Sequence, residues 1–506
     1  MKKKLIIALT LCQALLFSAE ITRAQVVDEP IKHLTCVTEE GYKEHIEPLI
    51  KASYTKLMAE GKLTFKHKDL NTEEDIAAKM GAGDLGWPLR MSAEYAAKPG
   101  VYDYYQIWNY ADLNTAEFSR LDWMCNTGSN ARNYDGHNGV DIVPEPFRWQ
   151  MMDDESVEVV AAMDGIVLHS ADGYFDRNCG GGAHTLGDPD DFNGGYYGNF
   201  VALFHDDFSI TVYAHMKSGT IPSFVPGEEI VRGQFLGVVG SSGNSSDPHL
   251  HFEVRTCEFC PYIEPWYDAA GCNDDVAASW WDDQLPYYDP KVVRVMTHDL
   301  NPVIKTCTDY LAGSNETINE RNHYTTGATV ILGVSMRDFL DGDVLDIAIL
   351  NQSNVVQSSW LITAGVDYTY GYTFNASTPM TGDPDGTYRV RAINNGITYN
   401  KYFTIGCTPT YTLSGALTGP KGWIAGDNIK TTNTISGLST NEVLYEAENY
   451  VQLNPGFVAT LNSRLHVRID DCTAPGIKEG EEIIIEKQIS EINIHPNPNF
   501  GNFDVH

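Results

Sequence analysis

Two short segments hold the side chains best suited to chemistry. His137 and Asp141 lie in Asp135-Gly136-His137-Asn138-Gly139-Val140-Asp141-Ile142, and His249 and His251 in Asp247-Pro248-His249-Leu250-His251-Phe252-Glu253-Val254. Residues two apart on a β-strand point to one face, so His249 and His251 project together while Leu250 and Phe252 turn toward a core. One imidazole of such a pair can bind a metal through a ring nitrogen while the other stands beside it, ready to hydrogen-bond a water or a substrate. His137 and Asp141, on a glycine-containing loop entering a strand, offer a second nitrogen and a carboxylate oxygen. Two histidines and one aspartate leave a fourth zinc position open, as hydrolysis at a metal requires.

At these residues the sequence resembles the lysostaphin/LytM-type zinc metallopeptidases. Their pattern is His-x-x-x-Asp, then a Tyr-Ala-His strand, then His-x-His, here His137 with Asp141, Tyr213-Ala214-His215, and His249-Leu250-His251. The text between agrees, in Asp164-Gly165-Ile166-Val167, Tyr197-Gly198-Asn199, Pro226-Gly227-Glu228 and Gly240-Ser241-Ser242-Gly243-Asn244. The resemblance implies an antiparallel, duplicated-hybrid-motif-like β domain. It implies Zn2+ held by His137, Asp141 and His251, with His215 and His249 as catalytic histidines that do not ligate. One would carry a proton from water to the leaving amine and the other would hydrogen-bond the oxyanion, their division of labour being open. The implied activity is endopeptidase cleavage of peptidoglycan cross-links. Some members of the family cut glycine-rich protein bonds instead, and others have lost ligands and act as wall-binding or hydrolase-activating modules; the five retained positions favour an enzyme. The sequence departs from the pattern at the Gly- and Asp-rich segment 172–196, which is longer than a turn and is expected to border the substrate groove.

The elements that must carry these residues are mostly strands. Between Gly136 and Val254, β-prone runs at 157–161, 165–169, 199–205, 209–215, 235–239 and 249–254 alternate with glycine turns and read as an antiparallel β domain. Ahead of it, Tyr42, Ile46, Leu49, Ile50, Tyr54 and Leu57 recur at three- and four-residue steps, which predicts an amphipathic helix. Runs at 328–334, 344–350, 360–363 and 388–392, punctuated by Asp-Gly and Asn-Gly, predict an immunoglobulin-like β-sandwich. The whole is expected to be mainly β and multidomain. We divide it into a leader (1–24), a mixed α/β N-terminal region (25–125), the peptidase domain (126–260), an acidic aromatic extension or linker (261–300), the sandwich (301–407), a small β module (408–480) and a sorting segment (490–506).

Lys2 to Lys4, the apolar run 5–17 and Thr22-Arg23-Ala24 form a secretory leader. No other stretch approaches the roughly 18 to 20 apolar residues of a bilayer span, so no transmembrane segment is expected. The net charge of −33 disfavours nucleic acid and anionic lipid as partners. Of ten cysteines, Cys12 falls in the leader, and the odd number left implies disulfides with at least one thiol over. Cys257-x-x-Cys260 reads as a disulfide before a second zinc site, and the run Asp188, Asp190, Asp191 and Asn193 as a solvated loop before a calcium site. Residues 451–457 resemble a small β module of secreted bacterial proteins, and Ile494 to Phe503 resembles the opening of a truncated type IX (Por) sorting domain. That implies export from a Gram-negative cell through Sec and then the type IX machinery, to the surface or medium.

Overall fold

The computed structural model describes residues 38–304 and 316–469, except 64–83, 115, 180–196, 258–259, 268–270, 274–275, 277, 436–441 and 460–463, together with 494–496 and 503–505. The leader, the acidic run 188–193, Cys36, Cys307, Cys472 and most of the sorting segment lie outside these residues. The chain is mainly β and multidomain. No helix among the described residues is long and apolar enough to cross a membrane.

The centre of the first half is a sheet built from β2 (Tyr105–Asn109), β3 (Val140–Pro144), β10 (Leu250–Arg255), β7 (Ile210–Met216), β6 (Asn199–Phe204), β5 (Gly165–Ala171) and β8 (Glu229–Ile230), in that spatial order, with antiparallel neighbours. A smaller sheet orders β1 (Leu89–Met91), β4 (Val157–Val160) and β9 (Phe235–Val238). Strands β6 and β7 are buried throughout because both faces are covered. Val201, Leu203 and Tyr213 enter one core with Val157, Val159 and Leu236 of the small sheet. Phe200, Ala202, Phe204, Ile210, Val212 and Ala214 enter another, closed by the N-terminal segment. That segment is helical from Glu39 to Ala59, with a π turn at Tyr42–Ile46, and buries Tyr42, Ile46, Ile50 and Leu57. The expected helix is present, with Leu49 turned outward.

Trp266, Trp280, Trp281 and Tyr287, from the stretch expected as extension or linker, fill the first core beside Tyr110 and Trp123. Disulfide Cys125–Cys272 fastens this stretch, and Cys257–Cys260 closes the Cys-x-x-Cys motif just before it.

Strands β12 (Lys291–His298), β14 (Thr329–Arg337) and β17 (Tyr372–Pro379) form one sheet of the sandwich. Strands β13 (His323–Tyr324), β19 (Ile397–Ile405), β18 (Gly386–Asn394), β15 (Val344–Leu350) and β16 (Val356–Thr363) form the other. After it the chain winds into three coils of a parallel β-solenoid. Strands at Thr410–Leu413, Asn428–Thr431 and Tyr450–Leu453 stack on one side, Ala416–Leu417, Thr434–Ile435 and Val458–Ala459 on the second, and Lys421–Ala425, Glu442–Ala447 and Arg464–Ile469 on the third. Leu417, Ile429, Ile435, Tyr445 and Phe457 are among its inward residues.

Candidate metal centre

Strand β10 runs between β3 and β7, and its register sets the site. His251 lies opposite Asp141 on β3 and opposite Ala214 on β7. Directly opposed residues of antiparallel strands point to the same face, so His251 and Asp141 arrive side by side. His137 arrives from the loop before β3. There Gly136 takes a φ of 72°, its N–H donates to Asp112 Oδ2, and Asp112 N–H returns a bond to the His137 carbonyl. His215 depends on an irregularity: Asn199 pairs with Met216 but Val201 with Tyr213, so one residue of β6 faces two of β7. The extra residue is His215 at a φ of 63°, a left-handed conformation that strands avoid and that a bulge uses to re-aim a side chain. His249 sits just before β10 in a bridge with Gly240.

All five side chains are nearly fully buried and converge. His137 Nε2 lies 3.2 Å from Asp141 Oδ1 and 3.3 Å from His251 Nδ1, and His251 Nδ1 lies 3.0 Å from Asp141 Oδ1. The other nitrogen of each ring is committed elsewhere. His137 Nδ1 donates to the Tyr110 carbonyl at 2.7 Å, and His251 Nε2 to Glu253 Oε1 at 3.0 Å. His215 Nδ1 donates to the Ser242 carbonyl and His249 Nδ1 to the Asp247 carbonyl, both at 2.7 Å. In neutral rings, therefore, His137 Nε2 and His251 Nδ1 present lone pairs to each other and to a carboxylate oxygen. A cation between them, or a proton on His251, relieves that arrangement. Donors bound tetrahedrally at about 2.0 to 2.2 Å from zinc lie roughly 3.3 Å apart, which these three separations match.

The electrostatics agree. Burial pushes the Asp141 carboxyl up, but the His137 and His249 imidazoles outweigh it and hold the group well below the usual range. Burial lowers His251, yet the hydrogen bonds it makes to Asp141 and Glu253 outweigh this and raise it to about 9, so that without a metal a proton supplies the positive charge. His215 is driven well below the ordinary imidazole range by burial and by His249 and His251, and stays neutral. The Nε2 atoms of His215 and His249 are buried with no hydrogen-bond partner. The two rings lie 4.7 Å apart, and His249 Nε2 is 3.5 Å from Asp141 Oδ1. Beside the His137, Asp141 and His251 cluster, the site thus holds two imidazole nitrogens without hydrogen-bond partners.

The structure brings His137, Asp141, His215, His249 and His251 to one place. Among the described residues only His137, Asp141 and His251 form a cluster with metal-ligand spacing. His205 is tied to the Asp164 carbonyl and Thr211, and His169 stacks on Phe200, away from the site. The described start of the long segment packs beside the site: Asn178 N–H donates to the Ser241 carbonyl and its amide to the Gly243 carbonyl. Sequence reasoning missed Asn109, whose amide donates to Asp141 Oδ2 at 3.0 Å, and the Tyr110 carbonyl. Only the pairing of β2 with β3 brings these in. It also missed Glu253, though its place two residues after His251 on one strand face was a usable signal.

Residues 135–259 match the sequence model of Peptidase family M23. Among curated proteins the chain is similar to the cell division protein DipM of Caulobacter vibrioides, 37% identical over 59 residues, or 12% of this chain and 9% of that one. It is similar to the DD-carboxypeptidase/endopeptidase Mpg of Neisseria meningitidis serogroup B, 44% identical over 62 residues, 12% of this chain and 13% of the other. It is also similar to the peptidoglycan DD-endopeptidase ShyA of Vibrio cholerae serotype O1, 34% identical over 59 residues, again 12% and 13%. These matches cover between 9% and 13% of the relatives' length. Residues 135–259 are a peptidase M23 domain of the LytM type.

Proposed function

We propose that the protein is an exported zinc endopeptidase that hydrolyses peptide bonds in peptidoglycan cross-links. The observation that carries this reading is the triangle of His137 Nε2, Asp141 Oδ1 and His251 Nδ1, with sides of 3.0 to 3.3 Å and with both facing imidazole nitrogens left as acceptors by their other hydrogen bonds. These three atoms are the ligands. When bound, zinc polarises a carbonyl and brings the pKa of water down to about 7.

The chain's own groups handle protons and position the substrate. His215 Nε2, neutral and unpartnered, accepts the proton of the attacking water and passes it to the leaving amine. The Ser242 carbonyl fixes the tautomer that leaves this nitrogen free. The His249 ring, 4.7 Å from that of His215, lines the same space and positions the scissile carbonyl there. Asn109 holds the second oxygen of Asp141 and keeps that carboxylate aligned.

The substrate class rests on the relatives named as peptidoglycan endopeptidases. The leader and the sorting-like segment support export through Sec and type IX secretion, with residues 126–260 as the catalytic unit and the sandwich and solenoid as appended modules. The test is digestion of purified peptidoglycan and of a glycine-rich peptide panel, with and without chelator, read by mass spectrometry. Cross-linked muropeptides should be cut at a peptide bond only in the metal-replete reactions. Cleavage that survives both chelation and His251→Ala contradicts the zinc mechanism, and an intact digest by zinc-loaded protein contradicts the substrate.

A further inference from the structure

Behind His251 a line of alternating charges runs out of the sheet and ends on the N-terminal helix. Glu253 Oε1 accepts from His251 Nε2, from the Asn138 amide at 2.8 Å and from the Tyr197 hydroxyl. Its other oxygen accepts from Arg255 Nε at 3.0 Å. The Arg255 guanidinium, fully buried, then reaches Glu39, with Nη2 to Oε2 at 2.8 Å and Nη1 to Oε1 at 3.4 Å, and donates to the Cys260 carbonyl at 3.2 Å. Tyr42, one helical turn after Glu39, lays its ring over the guanidinium, 3.2 Å from its carbon, and packs edge-on to Tyr197. The same segment meets a second ligand, since Thr38 bridges to His137 through the backbone. Glu39 and Tyr42 lie outside residues 135–259, yet they are the outer end of a chain of contacts whose inner end is a metal-ligating ring.

We propose that Glu39 is a positioning residue of the metal centre, acting through Arg255 and Glu253 on His251. The inference rests on the zinc reading above. A carboxylate that accepts the second N–H of a ligating imidazole fixes its tautomer and makes the other nitrogen a better donor. Glu253 can do so only while Arg255 does not draw off its charge. Glu39 shares the guanidinium between two carboxylates and holds it at a fixed distance, while the Tyr42 ring blocks its other face. Lys43 Nζ also lies 3.4 Å from Glu39 Oε1, but it is largely exposed and its pull is screened by water. The N-terminal helix thereby sets metal affinity as well as covering a core.

The experiment is a zinc titration of the full chain against a chromophoric chelator, with apo-protein melting as a control for folding. Glu253→Gln should weaken zinc by about 10- to 100-fold, the range for a direct partner of a ligating imidazole, and Glu39→Gln by a smaller factor of about three to ten. Glu39→Asp keeps the charge with a shorter reach and should recover part of that loss, which a purely packing role would not. Glu39→Gln that binds zinc as the unaltered chain does, while Glu253→Gln is weakened, overturns the proposal and ends the relay at Arg255. Equal affinities for Glu39→Gln and Glu39→Asp, both reduced, overturn it in favour of packing. Failure of the unaltered chain to bind zinc overturns the metal reading itself, and this proposal with it.

Discussion

Each of the four imidazoles has one nitrogen fixed on an acceptor of the protein, so the direction of its free lone pair is set by the fold. That separates the roles cleanly under mutation. His251→Ala should abolish zinc retention and turnover together. His215→Ala and His249→Ala should retain zinc while kcat falls by about 10²- to 10⁴-fold, the usual contribution of a general acid or base. Metal analysis beside single-turnover rates distinguishes the two classes. Gly139 makes a finer test. A Cβ there would lie 2.8 Å from the His251 ring and 2.7 Å from the Phe252 carbonyl, so Gly139→Ala must displace that ring or the strand that carries it. It should weaken zinc far more than it lowers the melting temperature, and equal binding would show that His251 has more room than the structure gives it. The five residues that converge were legible as a group in the sequence because two of the motifs are local and the third lies in a matching strand. Asn109, the carbonyls of Tyr110 and Ser242, and Glu39 were not, because they reach the site only through pairings and packing far apart in sequence.

The strand set was readable for a related reason: glycine turns and β-branched runs mark β4, β5, β6, β7, β9 and β10 within a residue or two. What no alternation pattern reveals is the bulge at His215, since it depends on the register of two strands at once. The solenoid was legible only as short β pieces. Its coils differ in length and carry no shared motif, so the stacking that defines it is visible only in space. The strand pair β10–β11 (Tyr262–Ile263) leads into Glu264, which is buried and accepts from the N–H groups of Ala111 and Trp266. Burial outweighs these bonds and raises its carboxyl to about 8. Its folded pKa stands above the unfolded one, so the protonated form is favoured on folding. Stability from this group is full below about pH 4.5 and is lost as pH rises through about 8, a change on the order of 4 kcal/mol. Urea unfolding at pH 5 and pH 8.5 should show that loss, and Glu264→Gln should flatten it. A slope unchanged by Glu264→Gln would place the titration elsewhere.

At the scale of the molecule, the sandwich is bonded to the strand that borders the site. Arg337 at the end of β14 donates to the Tyr105 carbonyl at 3.1 Å, pairs with Asp103 at 3.1 Å and with Asp289, and lies over the Tyr105 ring. Asp338 accepts from Gln106 on β2 at 2.8 Å, and Gln106 also donates to the Thr369 carbonyl. Removing the guanidinium leaves the buried Tyr105 carbonyl without that donor and Asp103 with Lys291 as its one remaining ion pair, so Arg337→Ala should cost about 1 to 3 kcal/mol. Calorimetry should then resolve the peptidase half and the sandwich as separate transitions, where the unaltered chain melts them together. Two transitions already present in the unaltered chain would mean that this contact couples nothing. Zinc K-edge absorption on the purified full chain tests the nature of the His137, Asp141 and His251 centre most directly. Zinc should be retained at about one per chain, with imidazole and carboxylate ligands at about 2.0 to 2.2 Å and no sulfur, and the imidazole signal should be lost in His251→Ala. A chain that holds no zinc, or a spectrum with sulfur at about 2.3 Å, would contradict it.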